Sequence, residues 1–302
     1  MVYAHYYIPD TASTGQIIKD LVEGMVDIFR ITVICVVPSY TGKIEDQWKT
    51  KKYYKETING VNILRVSVPE FTKSNKISRF KNILAYFFRA RYATRMIEDV
   101  DYIMSVSQPP ILGGMLGVYG KKKCKNVGGG NAKFIYQIQD FNPEQVLAVK
   151  YSDNKFITDM MMKLDKRSCK NSDLVITVGR DLIETLDKRF EKDCVRKPKA
   201  MLINNWIDEK EIYPLFENHP RVKAFKEKYG LNGKFTIMYS GNIGLYYDLE
   251  NLMKVIEKFK DVRIAPCERY PEGSRVVFAF VGAGAVLDKL ILYKNARHLD
   301  NV

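Results

Sequence analysis

A chain of 302 residues, 46% of them hydrophobic, can build two domains with cores of their own; its longest apolar run, residues 31–37, fits a buried strand and is too short for a membrane span. Its 48 basic and 35 acidic residues leave a formal net charge of +13, which favours an anionic partner such as acidic lipid or a phosphorylated ligand; no nucleic-acid motif occurs in its expected context, so no nucleic acid is expected. Five scattered cysteines without a CxxC pair point away from a disulfide framework and a zinc knuckle, and Val2-Tyr3-Ala4 follows the N-terminus without a basic lead, so a reducing cytoplasm is expected.

The first predicted strand covers residues 2–8 and ends at Pro9-Asp10. The small polar run Thr11-Ala12-Ser13-Thr14-Gly15-Gln16 follows, then a helix on Ile17, Ile18, Leu21, Val22 and Met25. A strand feeding a small-residue loop at a helix N-terminus is a ready anion site, because free backbone N–H groups and the helix dipole both favour negative charge. Residues 31–37 form the next strand, closed by Pro38. Residues 43–55 read as a charged, exposed excursion, and 61–68 as a strand entered from the turn pair Asn59-Gly60.

Residues 73–95 mix Lys73, Lys76, Arg79, Lys81, Arg89, Arg91 and Arg95 with Phe80, Leu84, Tyr86, Phe87 and Phe88. Two readings stay open: an amphipathic helix lying on an anionic membrane, or a core-packing helix with a solvated basic face. Asp99-Val100-Asp101 has the form of a metal-binding DxD, yet it precedes the strand 102–106 and reads as a helix end and a strand start. Residues 113–118 form a small-residue helix and 121–131 a mobile surface loop. The strand 134–140 carries Gln139 and Asp140 at its end, where a parallel strand places ligand-facing residues.

A helix over 160–169, a strand over 174–178, a helix over 180–190 and a short strand over 201–203 complete the first half. Residues 209–220 hold two prolines without a clear period and read as an interdomain hinge. The alternation then restarts. A strand over 235–239 leads into Ser240-Gly241-Asn242-Ile243-Gly244, and a helix follows on Leu249, Leu252, Met253 and Ile256. This is a second candidate anion site, with a plain βα turn as the alternative. The strand 276–281 ends in Gly282-Ala283-Gly284-Ala285-Val286-Leu287, a dinucleotide fingerprint broken at Leu287 and lacking an acidic residue placed for a ribose. The pattern is two successive Rossmann-type β/α units, expected over 1–205 and 206–302.

Six stretches occur in a familiar order: Pro9-Asp10-Thr11-Ala12-Ser13-Thr14-Gly15-Gln16, Ser107-Gln108-Pro109-Pro110, Tyr136-Gln137-Ile138-Gln139-Asp140, Asn171-Ser172-Asp173-Leu174-Val175-Ile176-Thr177-Val178, Asn204-Asn205-Trp206-Ile207-Asp208 and Tyr239-Ser240-Gly241-Asn242-Ile243-Gly244. Together they span nearly the whole chain, which resembles glycosyltransferase family 4, and within it the bacterial capsule, O-antigen, colanic-acid and fucosamine transferases. The resemblance implies an α/β fold of GT-B type: two Rossmann-like domains facing across a cleft, the first on the acceptor side and the second binding the nucleotide-sugar. The implied reaction moves a sugar from a nucleotide-diphosphate sugar to a glycan or polyprenyl-linked acceptor, with retention at the anomeric carbon and without metal or other cofactor. The enzyme would be peripheral on the inner membrane face.

By the same resemblance, Thr14 and Gly15 face the donor diphosphate, Ser240, Gly241, Asn242 and Gly244 cover the same phosphates, and Gln139 and Asp140 orient the donor or acceptor. The sequence departs from the family in three places. Gln139 stands where many members have histidine; it can hydrogen-bond a sugar hydroxyl but cannot act as acid or base. No basic residue follows the second glycine loop in Leu245-Tyr246-Tyr247-Asp248. The family's Glu-x7-Glu motif has no counterpart beyond that loop (Glu209 and Glu217 have the spacing but precede it), so roughly a hundred residues of the second domain are expected to be absent. An inactive fragment with an exposed sheet edge, or a nucleotide-sugar epimerase of the same fold, are the alternatives.

Overall fold

Residues 32–36, Thr-Val-Ile-Cys-Val, are β-branched and apolar on both faces, the signature of a strand inside a parallel sheet. In the computed structural model, which describes residues 1–72, 75–144, 154–191, 197–244, 247–270 and 272–302, they form β2 (Thr32–Val36), almost wholly buried. Around it lies an eight-stranded sheet in the order β3-β4-β2-β1-β5-β6-β7-β8. Its members are β1 (Val2–Tyr3), β3 (Tyr53–Ile58), β4 (Val61–Val66), β5 (Tyr102–Val106), β6 (Lys133–Ile138), β7 (Leu174–Thr177) and β8 (Ala200–Leu202). Every pairing is parallel except that of β3 with β4.

The helices are α1 (Ser13–Glu23), α2 (Lys76–Thr94), α3 (Leu112–Lys123), α4 (Lys155–Asn171) and α5 (Arg180–Phe190). One core cluster joins β2, β4, β5 and β6 to α2, α3, α4 and α5 through residues such as Ile34, Tyr86, Leu116, Cys169 and Leu186. A second joins α1 to the β1, β2 and β4 part of the sheet through Ile18, Val22, Val33 and Ile63. These elements make one compact unit, Met1–Ile207; the remainder, Asp208–Val302, makes another.

The second unit holds α6 (Pro220–Lys228), β9 (Phe235–Ser240), α7 (Leu249–Glu257), β10 (Arg263–Ile264), β11 (Ser274–Val281) and α8 (Leu287–Ala296). Its sheet runs β10-β11-β9, with β11 parallel to β9 and antiparallel to β10. Ile243, Leu249, Met253, Ile256, Val286, Leu290 and Leu299 form its core. Phe235, Ile237 and Met238 on β9 and Ile291 and Leu292 on α8 stay exposed.

Several sequence expectations need correction. The strand expected over 2–8 is regular only at Val2–Tyr3: a turn closed by Asp10 N–H to the Tyr7 carbonyl redirects the chain, and Pro9 has no N–H to extend the ladder. The excursion expected over 43–55 ends in β3, an edge strand paired to β4 across Asn59-Gly60, both at positive φ as a two-residue hairpin turn requires. Its Lys55 and Glu56 hide the strand pattern. The hinge expected over 209–220 ends at α6, where Pro220 takes the first helical position and the His219 ring nitrogen accepts the Arg221 N–H at 3.2 Å. Lys121, Lys122 and Lys123, placed in the loop 121–131, form the last turn of α3, where cations suit the helix dipole.

The 73–95 stretch is α2 from Lys76 onward; Lys73 lies outside the described residues. Asp99 and Asp101 stand at the N-terminal end of β5, across the sheet from the loop at Ser107. Among the described residues, no helix is long and apolar enough to cross a membrane.

Candidate functional site

In an open α/β sheet, ligands bind beyond the carboxyl ends of the strands where the strand order reverses. Here that switch lies between β1 and β5: from β1 the chain builds outward through β2 and β4, then returns to place β5 on the other side. A cavity of about 270 Å³ lies there, lined by the β1–α1 loop, the β5–α3 loop and the end of β6. Its polar side chains include His5, Thr14, Arg79, Asn82, Gln108 and Asp140.

The β1–α1 loop is held from several directions. Asp10 is 8% exposed; its carboxylate accepts the Ser39 N–H at 3.1 Å and the Tyr40 N–H at 3.0 Å. Burial pushes this carboxyl above the usual carboxylate range, against the pull of those two N–H donors. Arg65, 1% exposed on β4, donates to the Ile8 carbonyl at 2.5 Å and pairs with Glu56 on β3. A buried guanidinium with its donors used on one carboxylate and the carbonyls of Ile8 and Val36 fixes the loop it reaches.

Thr14, in the first turn of α1, lines the cavity together with Ser13; Gly15 does not. A Cβ on Gly15 would stand 3.1 Å from the Tyr6 carbonyl oxygen, so this glycine lets α1 pack on its own loop. That is a different reason for glycine than the phosphate contact the sequence suggests.

Gln139 and Asp140 part company. The Gln139 side-chain amide donates to Asn205 Oδ1 at 3.1 Å and accepts from Asn205 Nδ2 at 3.0 Å, which ties the end of β6 to the segment after β8. It does not line the cavity. Asp140 does, one residue on. The turn carrying it rests on Phe141, whose ring lies 3.9 Å under the Arg189 guanidinium. Arg189, on α5, in turn binds Glu144 at 2.6 Å and Asp165 at 2.6 Å, and Asp165 accepts the Tyr136 hydroxyl at 2.7 Å. Those charged partners raise the guanidinium pKa despite burial, so it stays ionised.

The residue that sequence reasoning missed is His5. It is 7% exposed, packs between the tilted rings of Tyr6 at 4.2 Å and Tyr86 at 4.8 Å, and lines the cavity with no hydrogen-bond partner on Nε2 among the described residues. Burial, helped by the Arg79 charge and opposed by a hydrogen bond to Asn82, pulls its pKa down to about 3. The ring is therefore neutral near pH 7 and offers a nitrogen to a ligand. Its signal in the sequence was a histidine within the strand that the sheet switch point follows.

In the second unit, Ser240, Gly241 and Asn242 are exposed at the carboxyl end of β9, and Gly244 is buried; Leu245 and Tyr246 lie outside the described residues. Gly241 N–H donates to the Val281 carbonyl at 2.9 Å, Ile243 N–H to the Ala283 carbonyl at 2.9 Å, and Val286 N–H to the Ile243 carbonyl at 3.1 Å. The loops after β9 and β11 thus clasp each other. A Cβ on Gly282 would stand 1.9 Å from the Gly241 oxygen, and Gly282 has φ +154°. The glycines of the broken dinucleotide fingerprint serve this clasp. At the start of α7, Asp248 receives the Asn251 side-chain amide at 2.9 Å and places a carboxylate beside the helix N-terminus.

A larger cavity, about 1070 Å³, lies in the first unit beside Met25, Met104 and Trp206 and holds none of the predicted site residues.

No family model matches the sequence. It is similar to the probable glycosyltransferase WbjE of Pseudomonas aeruginosa, 25% identical over 161 residues, which make up 52% of this chain and 35% of that relative. The structure is similar to sucrose-phosphate synthase of Thermosynechococcus elongatus, with a TM-score of 0.61 and 12% identity over 99% of this chain and 67% of that one. An E. coli trehalose-6-phosphate structure bound with UDP-2-fluoro glucose gives the same TM-score, identity and coverage. HepE of Anabaena, in complex with UDP and glucose, gives a TM-score of 0.57 at 11% identity, covering 99% of this chain and 66% of that one. The fold is α/β of the GT-B type.

Proposed function

We propose that the chain acts in sugar transfer from a nucleotide-diphosphate sugar to a glycan or lipid-linked glycan acceptor, with retention at the anomeric carbon. The observation that carries the reading is the cavity at the β1/β5 switch point, lined by a helix N-terminus and polar side chains, in a fold shared with structures that hold UDP and UDP-sugars. Similarity to a probable glycosyltransferase supports it.

In this reading, Thr14 and the first-turn N–H groups of α1 meet phosphate oxygens, as do the side chains of Ser240 and Asn242 at the end of β9, while Gly241, its N–H spent on the Val281 carbonyl, shapes the loop. Gly15 and Gly244 shape their loops. Asp140 and the neutral His5 hydrogen-bond sugar hydroxyls, and Gln139 holds the Asp140 turn to Asn205. As the anomeric bond breaks, charge develops on the leaving diphosphate, and fixed N–H dipoles aimed there stabilise the transition state without a metal.

Calorimetric titration with UDP, GDP and UDP-sugars tests the reading. Micromolar binding, about 8 kcal/mol, is expected for a nucleoside diphosphate, with at least about tenfold weakening in Asn242→Asp, which sets a carboxylate against phosphate. A folded protein that binds none of these nucleotides would overturn it.

A further inference from the structure

Arg79 stands where the fold has no use for it. It lies in the first turn of α2, which holds Lys76 and no aspartate or glutamate, so the helix dipole opposes its charge. Its guanidinium pairs with no carboxylate and lies over no ring among the described residues. The two other arginines of this helix are engaged: Arg89 donates to the Ser67 carbonyl at 2.5 Å, and Arg91 lies over the Tyr119 ring at 4.5 Å.

What Arg79 does reach is the switch-point cavity, where no other lysine or arginine occurs among the described lining residues. Its charge is felt at the His5 ring, where it adds to burial in keeping the imidazole neutral. That ring leaves Nε2 without a partner among the described residues, and Asp140 lines the same cavity. Thr14 and the start of α1 already suit one anion there. Arg79 comes from a different helix, whose N–H groups at Ile77 and Ser78 are taken by the Asn75 side chain at 3.0 and 3.1 Å. A second anion would therefore meet the guanidinium fork itself, which matches carboxylate and phosphate alike.

We infer that Arg79 makes this cavity a subsite for a sugar carrying a compact anionic substituent, carboxylate or phosphate, and that this sugar is the acceptor. The neutral His5 and Asp140 then take its hydroxyl groups while the guanidinium takes its charge. At about 270 Å³ the cavity is small for a ligand site, which suits one ring with a compact substituent. A neutral sugar leaves the exposed guanidinium to water at no cost, so selection comes from the charge-assisted hydrogen bonds that the anion gains. Assigning the subsite to the acceptor rests on the transferase reading; the binding of an anionic sugar beside Arg79 does not.

The test is titration of the full chain, with and without UDP, by glucose, glucuronate and glucose 6-phosphate, followed by NMR. At least one of the two anions should bind about tenfold more tightly than glucose, and which one it is separates an acidic sugar from a phosphorylated one. The chain has three histidines, so the imidazole signal missing in His5→Gln identifies His5, and it should move when that anion is added. Arg79→Gln should bring the anion down to the affinity of glucose, with an unchanged melting temperature and unchanged UDP affinity. Arg79→Lys, which keeps the charge and loses the fork, should fall between. Anions that bind no better than glucose would overturn the inference, as would an unchanged preference in the folded Arg79→Gln variant. So would a matching loss of UDP affinity in that variant, which would give the guanidinium to the donor. Arg79-dependent binding of the anion by a protein that binds no UDP would sink the transferase reading alone, and UDP binding without the preference would sink the subsite alone.

Discussion

The loops after β1 and β9 have the same local grammar, strand, small residues, helix, yet they are fixed by opposite means. The β1–α1 loop is held by charged side chains: Arg65 reaches in from β4 to the Ile8 carbonyl, and the loop's own Asp10 reaches out to the Ser39 and Tyr40 N–H groups. The β9–α7 loop is held chiefly by backbone, clasped through glycines to the loop after β11, with one side-chain contact among the described residues, the Tyr239 hydroxyl donating to the Asn242 carbonyl at 2.8 Å. A side-chain anchor leaves the first turn of α1 open to a cavity whose lining can vary by substitution. A glycine clasp spends the Gly241 and Ile243 N–H groups within the fold and leaves the exposed Ser240 and Asn242 side chains at the end of β9.

Removing an anchor is the strongest way to break this contrast. Arg65→Ala strands the Glu56 carboxylate and the Ile8 carbonyl, and should lower the stability of the first unit by about 3 kcal/mol. Hydrogen exchange by mass spectrometry should show the loss in the β1–α1 loop, with the second unit unchanged. Exchange that rises no more in that loop than elsewhere would mean the loop does not depend on this anchor.

The clasp is probed by the next largest effect. Gly282→Ala forces a methyl group into the Gly241 carbonyl at a φ that side chains disfavour, and should cost about 2 kcal/mol, read as faster exchange around β9 and β11. Gly15→Ala meets the Tyr6 oxygen at 3.1 Å with ordinary backbone geometry and should cost about 1 kcal/mol. Equal costs would dissolve the distinction between a loop made by glycine and one made by side chains.

The sequence made the parallel β/α alternation legible because apolar strands and helical periods are local signals. It also marked both loops, since small residues between a strand and a helix are visible in any frame. What it could not give was the use of each glycine. Gly15 and Gly282 look alike in sequence, and only the atoms opposite them, the carbonyls of Tyr6 and Gly241, show that both serve packing. The division of Gln139 from Asp140 was hidden for the same reason: the partner of Gln139 is Asn205, 66 residues away. β3 escaped because an edge strand tolerates Lys55 and Glu56, and α6 because its start depends on the cap at His219.

His5 sharpens the contrast through pH, with the smallest step per unit. Its folded pKa is about 3, held down chiefly by burial and also by Arg79, against about 6.5 in an unfolded chain. Between those values the unfolded chain binds a proton that the native ring refuses. Its contribution to stability is fully present above pH 6.5 and is lost as pH falls through that window, by up to about 1.4 kcal/mol per unit. Urea midpoints of wild type and His5→Gln, compared across that window, should converge as the medium is acidified, because glutamine keeps a polar group beside Tyr6 and Tyr86 but cannot take up a proton. A constant gap between the two curves would mean that the native ring already accepts a proton, and that the cavity presents a cation rather than a neutral nitrogen to its ligand. The β9–α7 loop holds no histidine among its described residues and its Asp248 is the same in both proteins, so its exchange rates, corrected for intrinsic chemistry, should follow acidification alike in wild type and variant.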